Sequence, residues 1–131
     1  MMLFLLALLL PPPGPPEDPI GAKLYPPELI MAHQQELGID DKQREAIVKE
    51  VQNAQSTITK LSWQMQAEAE RMGKLLDSPK VDEKQVLAQA DKVMNIERDV
   101  KKAHLTLLIR LKNLLTDAQR QKLAQLRKQS P

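Results

Sequence analysis

Two long runs of helix-period sequence, joined by a short turn, constrain the fold of this chain more than any other feature. In residues 41–76 and again in residues 83–113, apolar side chains recur at every third or fourth position. The four residues Asp77-Ser78-Pro79-Lys80 between them form a turn signal, and Asp82 suits the N-cap of the second run. Helices of similar length joined in this way lie antiparallel. The sequence therefore predicts an all-α chain built on a long αα-hairpin.

The spacing of the apolar residues predicts which faces of the two helices meet. We expect the first helix to contribute Ile47, Val51, Ala54, Ile58, Leu61, Met65, Ala69, Met72 and Leu76, and the second Val86, Ala90, Val93, Ile96, Val100, Ala103, Leu107, Leu111 and Leu114. This spacing is close to that of a coiled coil, so the predicted contact is one narrow seam.

A short helix is predicted on each side of the hairpin. The first runs from Glu28 to Leu37 and ends at Gly38, while the last follows Thr116 and ends near Ser130. The architecture is therefore four helices in the order short, long, long, short. A single hairpin buries little core, and this chain has no Cys to form disulfides, so we expect a homodimer.

Two five-residue segments repeat the same helix-start chemistry. The first segment has Ile39, Asp40 and Gln43 at its key positions, and the second has Leu115, Thr116 and Gln119. In each, an apolar residue precedes a side-chain oxygen acceptor, and Gln follows three residues later. This is the pattern of a capping box, in which the acceptor bonds a backbone N–H of the new helix. The Gln amide is predicted to reach back to the N–H of the cap residue.

The start of the chain differs from the rest in composition. Residues 1–16 combine an apolar run, Met1–Leu10, with a run of prolines, and they are predicted to be a signal-peptide-like segment for export to the periplasm. Ten apolar residues are too few to cross a bilayer, which takes about 20 as a helix. We therefore expect no membrane span in the mature chain. Residues 17–27 are interpreted as an extended Pro-rich linker, and residues 28–131 as the helical domain.

The paired caps resemble the LTxxQ superfamily of periplasmic proteins, which includes Spy/CpxP-type stress chaperones and heavy-metal-resistance sensors. The second segment matches the motif letter for letter, while the first has Ile39 for Leu and Asp40 for Thr. The resemblance covers roughly residues 26–128. It implies a curved hairpin homodimer without enzymatic activity or a required cofactor, which holds unfolded clients without ATP. It also allows a periplasmic metal sensor, or an adaptor for a membrane-bound stress regulator.

Three side chains form the candidate metal site. His104 is predicted to face Ala54 across the seam, one turn from Glu50, and His33 can fold back toward the same region. Two imidazoles and a carboxylate suit Zn, Co, Ni or Cu. The metal sensors of the superfamily resemble this set. However, Leu29 and Leu108 stand where those sensors have a further His and a Met. The alternative is a hydrogen-bonded histidine at the seam.

Trp63 does not belong to the predicted seam, because it lies on the polar side of its helix. Its possible roles are a dimer contact, a client surface, or packing under the first or last helix.

Charge is unevenly distributed along the chain, since residues 98–128 hold nine basic and two acidic residues. The cations singled out for a client or dimer surface are Lys101, Lys102, Arg110 and Lys112. A solvated helix face is the alternative.

Enzymatic and nucleic-acid functions find no support in the sequence. The chain has no Cys nucleophile, no G-x-S-x-G segment, no P-loop and no H-E-x-x-H motif. Its basic segment contains no aromatic residue on which bases could stack. The sequence therefore predicts a protein that acts by binding other proteins or a metal ion.

Overall fold

A computed structural model describes residues 19–129, and within them it contains only helices, turns and irregular segments. A single 3₁₀ turn, Gly21–Lys23, comes first. Five helices follow: α1 (Pro27–Ala32), α2 (Gln34–Leu37), α3 (Asp41–Leu76), α4 (Glu83–Leu114) and α5 (Asp117–Gln129). The two long helices α3 and α4 pack against each other along the hairpin. The all-α prediction and the central hairpin are confirmed.

The ends of the long helices form as the local sequence predicts. The side chain of Asp40 accepts the N–H of Gln43 at 2.7 Å, and that of Asp82 accepts the N–H of Gln85 at 3.2 Å. Each carboxylate thereby satisfies one backbone donor that the first helical turn leaves free. Gly38 ends α2 with φ +67°, a left-handed conformation that favours glycine.

The predicted first short helix is broken at His33, which adopts φ −120° and ψ 25°. The backbone N–H of His33 bonds Ile30 O, only three residues back, and the amide of Gln34 donates to Met31 O at 3.1 Å. A side chain therefore satisfies a carbonyl that the interrupted helix leaves free. The prediction of one continuous helix over 28–37 was wrong for this reason.

The predicted seam is correct on α4 but shifts on the second half of α3. Every predicted α4 position is buried or half-buried, whereas Ala69 and Leu76 on α3 are exposed. Glu68 and Leu75 occupy the seam positions instead. The position of Glu68 in the seam is hard to predict because this residue is charged. Its partner on α4, Gln89, is also polar and is only 6% exposed.

A polar contact between Gln89 and Glu68 joins α4 to α3 in this part of the seam. The side-chain nitrogen of Gln89 donates to the backbone oxygen of Glu68 at 2.9 Å and to its carboxylate at 2.6 Å. Arg71 donates to the other carboxylate oxygen at 3.0 Å. Because both buried polar groups are bonded, the seam tolerates them where a purely apolar pattern would place Ala or Leu.

The hydrophobic core lies at the open end of the hairpin, away from the turn between α3 and α4. Its buried members are Tyr25, Ile30, Leu37, Ile39, Ile47, Leu107, Leu111, Leu115 and Leu123. These residues come from the segment before α1, from the five helices and from the turns between them, so the short helices pack where the ends of the long ones meet. Leu111 and Leu123 are fully buried. The rest of the hairpin is held by its narrow seam alone.

The segment before α1 is held on this core, which differs from the linker prediction for residues 19–27. The buried Tyr25 donates its hydroxyl to Arg120 O at 3.1 Å. The guanidinium of Arg127 lies 4.8 Å from the centre of the Tyr25 ring and donates to the carbonyls of Gly21, Ala22 and Leu24. Lys112 donates to Lys23 O at 2.7 Å. Cations from α4 and α5 thus bond the carbonyls of this segment and hold it on the core.

The predicted signal-like segment, residues 1–16, lies outside the described residues. Among residues 19–129, no helix combines the length and the apolar character needed to cross a membrane.

Candidate functional site

The two helix-start segments, 76 residues apart in the chain, meet in the structure through their glutamines. The side-chain nitrogen of Gln43 donates to Gln119 Oε1 at 2.7 Å, and that of Gln119 donates to Gln43 Oε1 at 3.1 Å. Each nitrogen also reaches a carbonyl at a helix end: Gln43 bonds Leu114 O at 2.9 Å, and Gln119 bonds Leu37 O at 3.1 Å. The pair therefore joins the ends of α2 and α4 to the starts of α3 and α5.

Only one of the two predicted capping boxes closes on itself. At the second, Gln119 Oε1 accepts the N–H of Thr116 at 2.9 Å, while Thr116 Oγ1 accepts the N–H of Gln119 at 3.2 Å. At the first, Asp40 caps the helix as predicted, but the side chain of Gln43 is used for the long-range contact with Gln119. The expected return of Gln43 to its own cap was wrong because both of its polar atoms bond across the fold.

This geometry gives the motif a tertiary role. Gln119 is only 8% exposed, and its oxygen and nitrogen each make two hydrogen bonds within the described residues. This contact requires a Gln in each motif, because each side chain both donates to the other and accepts from it.

A family model for heavy-metal resistance matches residues 2–122, nearly the whole chain. The chain belongs to that family. The family in turn belongs to the LTxxQ superfamily of Spy/CpxP-like helical proteins.

No curated protein and no solved structure matches the chain. Proteins of the heavy-metal resistance family are typically periplasmic. The family match therefore supports the resemblance suggested by the two caps.

The structure places the three candidate metal ligands apart from one another. His33 is bonded to Glu36, with Nδ1 and Oε1 3.0 Å apart, and Glu50 accepts from Arg110 at 3.2 Å. His104 is exposed on α4. Within residues 19–129, no group of three or more His, Asp or Glu side chains could hold a metal ion. Within one copy, the structure therefore does not bring the three candidate ligands together, and metal binding by them stays a prediction.

The reason for the separation lies in the helix register. The α3 residues Glu50 and Ala54 share a shallow hollow with Ala103, Leu107 and Arg110 of α4, so these are the neighbours of Glu50. His104 is exposed and does not line this hollow, although Val100 and Leu107, about one turn before and after it, belong to the seam. The α4 side chain that bonds Glu50 is Arg110 and not His104.

Trp63 is 76% exposed, so it does not pack under α1 or α5. A dimer contact and a client surface remain as predictions for it. Of the four predicted surface cations, Lys101 and Lys102 are exposed, Arg110 is paired with Glu50, and Lys112 is half-buried against the segment before α1. Of these four cations, the exposed Lys101 and Lys102 therefore lie near the middle of α4.

A row of exposed apolar side chains on α4 was missed by the sequence analysis. It consists of Leu87, Met94, Leu105 and Ile109. Steps of seven, eleven and four residues keep these side chains on one face of the helix, where Arg98 and Lys101 also lie. The spacing of these four residues is visible in the sequence. The row was missed because the prediction considered only the apolar residues that pack against α3.

Proposed function

We propose that this protein is a non-enzymatic, ATP-independent holder of unfolded proteins in the periplasm, of the Spy/CpxP type. The observation that carries the proposal is the outer face of α4, where exposed apolar side chains lie among charged residues, most of them cations. Met94 and Leu105 line a shallow hollow of about 360 Å³ together with Glu97, Arg98, Lys101 and Lys102. Exposed apolar side chains that lie on one face and are rimmed by polar residues are typical of surfaces that bind other proteins.

The physics of such a face favours weak and unselective binding. The cations attract acidic segments over a distance of about a Debye length, roughly 8 Å at physiological salt. Short apolar contacts with Met94 and Leu105 then hold the segment, and Met adapts readily to different partners. Because each contact contributes little, a client can detach and fold. This mechanism requires neither a cofactor nor nucleotide.

The test is aggregation of an unfolded client in the presence of the purified chain, without nucleotide. We expect a molar excess of the chain to suppress light scattering, and the double variant Met94→Ser, Leu105→Ser to need several-fold more protein for the same effect. The control is Leu76→Ser, because Leu76 is 52% exposed but lies at the end of α3. It should behave as the wild type. No suppression by the wild type at several-fold molar excess would end this proposal.

A second candidate function is metal sensing or buffering, which the heavy-metal resistance family match favours. The ligands proposed for it are His33, Glu50 and His104. Calorimetric titration with Zn, Co, Ni and Cu tests it directly on the wild type and on His104→Ala. Heat of binding that the variant loses would support a site containing His104. An absence of heat with every ion would remove the candidate without affecting the client-binding proposal.

A further inference from the structure

An apolar groove with a volume of about 570 Å³ opens between α1 and α3. The α3 side chains that line it recur every three or four residues, so they form one stripe along the helix. They are Arg44, Ile47, Val48, Val51, Gln52 and Gln55. From the first to the last of them the helix advances about 17 Å, at about 1.5 Å per residue. The groove therefore extends along the axis of α3.

The middle of this groove is apolar from its floor to its rim. Ile30 and Ile47 are buried members of the core and form the floor, while Met31 is 65% exposed and Val48 45%. A mostly apolar concavity of this size is typical of a site for a small molecule, since such sites measure about 300–1,000 Å³. An apolar ligand would remove Met31 and Val48 from water, which favours binding.

Charged side chains mark the two ends of the groove. At one end, Arg44 donates from Nε to Gln34 at 2.8 Å and from Nη1 to Asp41 at 2.7 Å, and its Nη2 has no partner within residues 19–129. The side chain of Asp41 is 94% exposed, so this ion pair contributes little and can be exchanged for another. Because Gln34 follows α1, the start of α1 with Glu28 lies toward the other end. The groove thus has a positive and a negative end.

We propose that this groove binds a long-chain fatty acid, with its carboxylate at Arg44 and its alkyl chain along the apolar middle. A planar guanidinium suits a carboxylate, because its N–H groups can form two parallel hydrogen bonds. The negative charge of Glu28 disfavours a carboxylate at the opposite end. An extended chain advances about 1.2 Å per bond, so the length of the groove accommodates about fourteen carbons. This site is separate from the α4 face proposed for clients.

Calorimetric titration of the purified chain with sodium myristate, below the concentration at which it forms micelles, tests the proposal. We expect saturable binding of about one myristate per chain. Octanoate should bind about tenfold more weakly or worse, because its shorter chain covers less of the groove. Tetradecyltrimethylammonium has an alkyl chain of the same length with a cationic head, so it should also bind about tenfold more weakly or worse.

Two substitutions address the two parts of the site. Arg44→Gln should raise the dissociation constant of myristate about tenfold and leave that of tetradecyltrimethylammonium no higher than in the wild type. Val48→Glu places a charge in the apolar middle and should weaken myristate binding by about tenfold or more. Both residues are exposed, so circular dichroism should show the wild-type helix content in each variant.

Each substitution has a matched control. Arg71→Gln removes a cation that, like Arg44, pairs with an acidic residue three positions earlier on α3, but Arg71 does not line the groove. Leu105→Glu places the same new charge as Val48→Glu on the exposed face of α4. Both controls should bind myristate as the wild type does.

Three outcomes would overturn the fatty-acid site. The first is an absence of saturable myristate binding by the wild type; if Val48→Glu also lost self-association, the groove would belong to a second copy of the chain. The second is equal binding of myristate and tetradecyltrimethylammonium, since the carboxylate would then not be recognised. The third is weakened binding in Leu105→Glu but not in Val48→Glu, which would place the ligand on α4.

Discussion

Leu111→Ala is expected to lower the free energy of unfolding by about 3 kcal/mol, because it removes a fully buried side chain from a packed core. Leu111 lies near the end of α4, where the short helices pack on the hairpin. The substitution loses apolar burial and leaves a cavity that the surrounding side chains cannot fill completely. Urea unfolding followed by far-ultraviolet circular dichroism measures the change, at one protein concentration because a dimer would make stability concentration-dependent.

Leu105→Ala is the matched control for this measurement. It removes the same atoms from the same helix, but Leu105 is 40% exposed. We expect a loss below about 1 kcal/mol, since much of its surface already meets water. Equal losses for the two variants would contradict a core centred at the open end of the hairpin.

Gln119→Ala is expected to cost about 2–3 kcal/mol, because it leaves buried polar groups without partners. The amide of Gln43, the N–H of Thr116 and the carbonyl of Leu37 all lose a hydrogen bond in this variant. The unfolding free energy measures this loss. Gln121→Ala is the control, since Gln121 is an exposed residue of the same helix and its truncation should change stability by less than about 0.5 kcal/mol.

The effects of substituting Gln43 and Gln119 on the free energy of unfolding should not be additive. Once Gln119 is absent, the side chain of Gln43 keeps its bond to Leu114 O but loses both bonds to Gln119, so Gln43→Ala should cost less in the Gln119→Ala background than in the wild type. A double-mutant cycle with these two substitutions measures the coupling. Strict additivity would mean that the two caps stabilise their own helices independently.

The amino-acid sequence by itself determined the hairpin and its ends. Helix periodicity, the turn around Pro79 and the side-chain caps at Asp40 and Asp82 act between residues close in the chain, so they can be predicted without tertiary contacts. The bounds of α3, Asp41–Leu76, follow from these local signals. The apolar seam on α4 was also predictable, because burial there follows one repeating pattern.

Contacts between distant residues decided the rest, and local patterns do not encode them. The seam includes Glu68 because Gln89, on the opposite helix, bonds both its backbone and its carboxylate. The side chain of Gln43 does not bond its own cap residue, because Gln119, 76 residues away, offers a buried partner. Glu50 meets Arg110 instead of His104, and only the packing of α3 on α4 sets the helix register that decides this. The tertiary structure thus decided which polar side chains meet, since their desolvation must be balanced by partners that the chain brings together only on folding.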